Sequence, residues 1–260
     1  MTVNPIGSLG YRDVHDALAE QKFVPYFHPI HDVNSGALTG AEILARLPQY
    51  AHGLYLPADF LSHMAAPEDL KKLTSILLIK AGLWFAGKSL PDNFSLAFNI
   101  PADMVCEPWL LELCQMLLSH SMGKITLVAE LTESLPLTVG AESLDRGLQQ
   151  MALAGVTLAL DDFGTGYSGY HLLRQTGAGM IKIPREFVSV MNDDLVSSRI
   201  IDNMMHLADS LSLLVVAEGV ETPEQVKALA EKGVQYAQGY FYSPPLSEAE
   251  FSDYLTLHCD

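Results

Sequence analysis

Residues 23–45 read Phe23-Val-Pro-Tyr-Phe-His-Pro-Ile-His-Asp-Val-Asn-Ser-Gly-Ala-Leu-Thr-Gly-Ala-Glu-Ile-Leu-Ala45. Two apolar, β-prone runs, 23–32 and 38–45, are separated only by the Asp32-Val-Asn-Ser-Gly-Ala connection. That link is too short for a helical crossover, so the two strands are expected to form an antiparallel hairpin. Further short runs rich in Val, Ile, Leu and Phe fall near 95–100, 125–131, 157–162, 179–184, 213–218 and 236–242. Stretches of helical periodicity separate them, the pattern of a parallel sheet wrapped by helices. Eight strands is the barrel number, so the expected fold is α/β, a modified TIM-type (β/α)8 barrel with an antiparallel first strand.

The helical stretches have readable ends. Thr222-Pro223-Glu224-Gln225 supplies a cap, a first-turn proline and a capping-box glutamine, and Ser247-Glu-Ala-Glu250 repeats the box. The chain has 260 residues, 49% of them hydrophobic, enough for one core of barrel size. No linker, charge block or repeat divides it. The expected organisation is a lead-in at 1–15 and one domain at 16–260. A net charge of −16 would repel long polyanions, which disfavours duplex nucleic acid as a partner. A small anion bridged by metal stays open. Cys106, Cys114 and Cys259 make no ligand pair and suit a reducing cytosol. No signal-peptide core is present, and the run from Ile76 to Ala86 is broken by Lys80 and Gly82. The expectation is a cytoplasmic protein without membrane insertion.

The polar residues fall at strand ends. Glu42 lies on the second run, Asn99 ends the third, Glu130 the fourth, Asp161 and Asp162 the fifth, Lys182 lies in the sixth and Glu218 ends the seventh. In a barrel those ends converge on the face that carries chemistry. Converging carboxylates repel, and raised pKa values or bound cations must relieve them. An all-oxygen set with an Asn carbonyl suits hard cations such as Mg²⁺ or Mn²⁺. Two such ions would activate a water and stabilise a phosphoryl oxygen. A glycosidase would leave Lys182, Asn99 and the Asp pair unexplained. His28 and His31, three apart on a strand, face opposite ways, and neither HExxH nor GxSxG occurs.

Gly40-Ala-Glu-Ile-Leu-Ala-Arg46 resembles the signature of the EAL phosphodiesterases, with Ile43 in the usual Ala position. Phe98-Asn-Ile-Pro101, Glu130-Leu-Thr-Glu133, Asp161-Asp-Phe-Gly-Thr-Gly-Tyr-Ser168, Ile181-Lys-Ile183, Ala217-Glu-Gly-Val-Glu221 and Gln238-Gly-Tyr240 look like its other landmarks, in the family's order. The resemblance implies a cyclic di-GMP phosphodiesterase that yields linear pGpG with two Mg²⁺ or Mn²⁺ ions per site. It implies Glu42, Asn99, Glu130 and Asp161 as ligands of one metal, and Asp162 and Glu218 at the other with Asp161 bridging. Lys182, Glu218 and Glu42 would be catalytic. Arg46, His28, Gln238 and Glu221 would serve substrate binding or support of the site, and Glu133 would anchor the glycine-rich loop at 163–169, through which a homodimer is implied. The family usually has Gln where His28 stands and an acid where Pro184 stands. The alternative is therefore a catalytically weak cyclic di-GMP receptor or protein-interaction adaptor of the same fold.

Overall fold

In the computed structural model, which describes residues 9–49, 53–64, 66–121, 123–132, 140–166 and 169–258, the opening hairpin forms as expected. Strand β1 (Val24–Asp32) runs antiparallel to β2 (Leu38–Pro48), with His28 opposite Glu42. A register shift at Ile30/His31 marks an irregularity in the pair. The short β3 (Leu54–Tyr55) adds antiparallel to the end of β2. The remaining strands are β4 (Phe94–Pro101), β5 (Ile125–Thr132), β6 (Val156–Leu160), β7 (Met180–Ile183), β8 (Leu214–Ala217) and β9 (Tyr236–Ala237). From β2 through β4 to β9, each is parallel to the next. β1 then pairs antiparallel with β9 and closes an eight-stranded ring.

Outside the ring lie α1 (Tyr11–Ala19), α2 (Pro57–Phe60), α3 (Pro67–Phe85), α4 (Pro108–His120), α5 (Ala141–Leu153), α6 (Gly169–Thr176), α7 (Arg185–Val188), α8 (Leu195–Leu211), α9 (Pro223–Glu231) and α10 (Glu248–His258). α1 crosses the 15/16 boundary and buries Val14, Ala17 and Leu18. The expected caps are present: Thr222 Oγ1 accepts from Gln225 N–H while Gln225 Oε1 accepts from Thr222 N–H, and Ser247 and Glu250 pair likewise. Among the described residues no helix is long and apolar enough to cross a membrane. Cys106 and Cys114 are free thiols, and burial pushes Cys114 up to about 12. Cys259 lies outside the described residues.

Strand alternation places the site. Inside the ring, Ile30, Ala97, Val128, Ala159, Met180 and Val216 form one small apolar cluster, with Tyr236 packed against it. Because side chains on one face recur every two residues, the next inward positions toward the C-terminal mouth are Asn99, Glu130, Asp161, Lys182, Glu218 and Gln238. On antiparallel β1 the count runs backward, from Ile30 to His28. On β2 it runs from Gly40 to Glu42. A polar layer thus lies directly above an apolar plug. Gly40 is demanded by the close approach of β4, since a Cβ there would fall 2.5 Å from the Ser95 carbonyl oxygen.

His31 turns the other way, as expected. It is buried, stacks on Tyr242 with ring centroids 4.5 Å apart, and bonds Gly36 O and Tyr254 Oη at 2.9 Å each.

Candidate active site

Lys182 is the centre of the polar layer. Its side chain is 1% exposed, and its Nζ lies 2.5 Å from Glu218 Oε1, 3.0 Å from Glu130 Oε2, 3.3 Å from Asp161 Oδ1 and 3.5 Å from Glu42 Oε2. Burial alone would favour the neutral amine, but the four carboxylates hold the lysine's pKa well above its ordinary value. Glu42 is fixed from two sides: Gln238 Nε2 donates to Oε2 at 2.7 Å and Asn99 Nδ2 to Oε1 at 2.8 Å. Burial would raise its pKa, yet Lys182, Gln238, His28 and Asn99 bring it below the usual range.

The other acids go the opposite way. Burial, with Glu42, Asp161 and Glu218 nearby, drives Glu130 well above the usual carboxyl range. Burial, with Asp161 and Glu42, pushes Glu218 up to about 7. Asp162 is raised by burial and by Asp161.

The fifth strand is shorter than expected. β6 stops at Leu160, so both aspartates stand in the following turn. Asp161 N–H still continues the ladder to Leu131 O at 3.1 Å, whereas Asp162 adopts a left-handed φ of 48°. Phe163, buried beneath, ties the turn to β7 through its N–H and Lys182 O at 3.2 Å. This change of backbone direction lets neighbouring aspartates serve one place: Asp161, Asp162 and Glu218 offer oxygens within 4.8 Å of one another. Above them a cleft of about 290 Å³ is lined by His28, Glu42, Asn99, Glu218, Gln238 and Glu221, among others. Burial lowers the His28 pKa, with Lys182 adding to the shift and Glu42 opposing it.

Two residues lie apart from this group. Arg46 is buried, donates Nη1–H to Ala45 O at 2.8 Å and covers the Tyr26 ring at 5.5 Å; it does not line the cleft. Glu221 sits at the rim, where it pairs with Arg185 at 2.7 Å. Glu133, and Tyr167 and Ser168 of the glycine-rich loop, lie outside the described residues. Arg185 itself escaped sequence reading. Its only signal there is a cation just beyond the Lys182 strand, at the mouth where the loops converge.

Pro184 follows the last residue of β7, and its φ of −62° and ψ of 148° carry the chain into α7. It therefore interrupts no ladder, and its carbonyl accepts from Phe187 and Val188 N–H.

Comparison with known proteins agrees with this geometry. Residues 11–245 match the model described as the EAL domain. The chain is 36% identical over 241 residues to the cyclic di-GMP phosphodiesterase PdeL of Escherichia coli K12, covering 90% of this chain and 66% of PdeL. It is 33% identical to the cyclic di-GMP phosphodiesterase RocR of Pseudomonas aeruginosa, covering 94% of this chain and 62% of RocR. The chain thus spans less than two thirds of these relatives. The PaMucR phosphodiesterase of Pseudomonas aeruginosa, solved as a c-di-GMP complex, superposes with a TM-score of 0.79 at 27% identity, covering 92% of this chain and 98% of that one.

Proposed function

Because this chain belongs to the EAL domain family, we propose that it hydrolyses cyclic di-GMP to linear pGpG. One observation carries the reading: Glu42, Glu130, Asp161 and Glu218 converge at the barrel mouth on a single buried ammonium, Lys182, with Asp162 offering an oxygen beside those of Asp161 and Glu218. The names of the relatives above support the substrate.

The donor set fits hard divalent ions. It is wholly oxygen, its acids outnumber the one lysine, and Glu130, Asp162 and Glu218 resist ionising without further positive charge. Glu42, Asn99, Glu130 and Asp161 would hold one Mg²⁺ or Mn²⁺, and Asp162 and Glu218 a second, with Asp161 shared. When bound, such a pair lowers the pKa of water and neutralises charge on a phosphoryl oxygen.

The chain's own residues do the rest. Lys182, clamped by its carboxylates, orients the attacking water or the scissile phosphate. Glu218 Oε1 takes up the water's proton. Glu42, immobilised by Gln238 and Asn99, keeps the cluster in register. The water oxygen bonds to phosphorus, the bond from phosphorus to O3′ breaks, O3′ takes a proton from solvent water as it leaves, and a 5′-phosphate and a free 3′-hydroxyl result. His28 and Gln238 form the wall against which the dinucleotide lies, with Glu221 at the rim. Arg46 reaches it only by leaving Ala45 O. A homodimer formed near the 163–169 loop accords with the family resemblance, and Tyr170, 68% exposed and edge-on to Phe163, offers apolar surface there.

The test is incubation with cyclic di-GMP followed by chromatography. Chelator should abolish pGpG formation, Mg²⁺ or Mn²⁺ should restore it, and Ca²⁺ should bind yet inhibit, since its larger, looser coordination misplaces water and phosphate. Full turnover in thoroughly chelated protein overturns the mechanism. Pro184, standing where the family usually has an acid, supports a second reading as a receptor; tight binding without cleavage under any metal would select it.

A further inference from the structure

The divalent ions proposed above would meet the phosphate being cut; the second phosphate of an anionic dinucleotide calls for a positive charge at the cleft entrance, and Lys182 is not available for that task. It is 1% exposed and engaged by four carboxylates. Among the described residues lining the cleft, Arg185 is the one with a permanent positive charge. It opens α7, directly after Pro184 has turned the chain out over the mouth.

The stem of Arg185 lies across Gly219, where a Cβ would fall 2.2 Å from Arg185 Cγ. Both that closeness and a φ of +65° call for glycine there. The guanidinium then reaches Glu221, but in the open: the two side chains are 67% and 45% exposed. Water screens such a pair strongly, so it holds the arginine in place without binding it tightly. A phosphodiester can accept two parallel N–H bonds from the same planar fork, which makes it the stronger partner.

We propose that Arg185 is a substrate-binding arm that exchanges Glu221 for the phosphate of the cyclic dinucleotide that is not being cut, and so holds the other phosphate over Lys182. This rests on the cyclic dinucleotide reading above.

The experiment measures Kd for cyclic di-GMP by calorimetry in Ca²⁺ and KM in Mn²⁺, for wild type, Arg185→Met, Arg185→Lys and Glu221→Gln. Arg185→Met should raise Kd and KM about tenfold and flatten their dependence on salt, because one ion pair with phosphate is lost. Arg185→Lys should recover part of the loss. Glu221→Gln, which frees the arginine, should tighten binding by about two- to threefold. Wild-type affinity in Arg185→Met, or weakened binding in Glu221→Gln, overturns the assignment. So does an Arg185→Met protein that loses only its preference for cyclic di-GMP over cyclic di-AMP, which would place the arginine on a guanine edge. A wild-type chain that neither binds nor cuts cyclic di-GMP overturns the functional reading itself, and this inference with it.

Discussion

Glu42 and Glu218 face the same ammonium yet are displaced in opposite directions. Glu42, held by Lys182 and by amide hydrogen bonds on both oxygens, falls below its ordinary pKa despite burial, while Glu218, raised by burial and by Asp161 and Glu42, reaches about 7. The sign of the stability effect follows. In metal-free protein the folded Glu218 keeps a proton up to about pH 7, whereas the unfolded chain releases it near the usual carboxyl value, so between those limits the folded state binds more protons. Stability should therefore fall as pH rises from about 4.5 to 7, by up to about 1.4 kcal/mol per pH unit for this one group. Thermal melts in chelator from pH 5 to 8 should show the decline, Glu218→Gln should make it shallower, and Mg²⁺ should oppose it. Wild-type stability that climbs through this window would contradict the assignment. Most of these residues were legible before the fold was known, because strand ends in a barrel share one mouth. The Arg185–Glu221 pair was not, since it joins residues 36 apart across two loops and follows no local period. Nor could spacing reveal that Arg46 folds back onto Tyr26.

At the scale of elements, the strands were legible to within a few residues and their ends were not. The apolar run of the fifth strand continues smoothly into Asp161 and Asp162, and only the left-handed backbone at Asp162 shows where pairing gives way to a turn. The final run, expected to reach 242, pairs only at Tyr236–Ala237, because Gly239 crosses the Val220 backbone too closely for a strand with side chains. The β2–β4 contact makes a similar demand that can be tested. Gly40→Ala should destabilise the protein by about 2–3 kcal/mol, since β2 and β4 must part to admit the methyl, and should disturb Glu42 two residues on. Gly87→Ala, with nothing within 4 Å of its Cβ, is the control and should be near neutral. Urea unfolding of both variants measures the difference; equal midpoints would mean that the strands accommodate the methyl freely.

For the whole molecule, a net charge of −16 bears on self-association. Two copies carrying that charge repel, so a dimer held by apolar contacts near Tyr170 should strengthen as salt rises. Sedimentation at low and high salt checks this, and Tyr170→Glu should shift the balance toward monomer. A fully active protein that stays monomeric at high concentration would remove the dimer from the mechanism. The ring was foreseeable from eight short runs and one tight hairpin, but nothing local announces which strand completes it. β1 does so, paired with β2 beside it in sequence and with β9 about 200 residues later. On a ribosome adding roughly 5–20 residues per second, that second partner emerges some 10–40 s after the first strand. For all that time one edge of β1 must be sheltered by something other than its final neighbour, and the pocket that its closure completes cannot exist until almost the whole domain has been made.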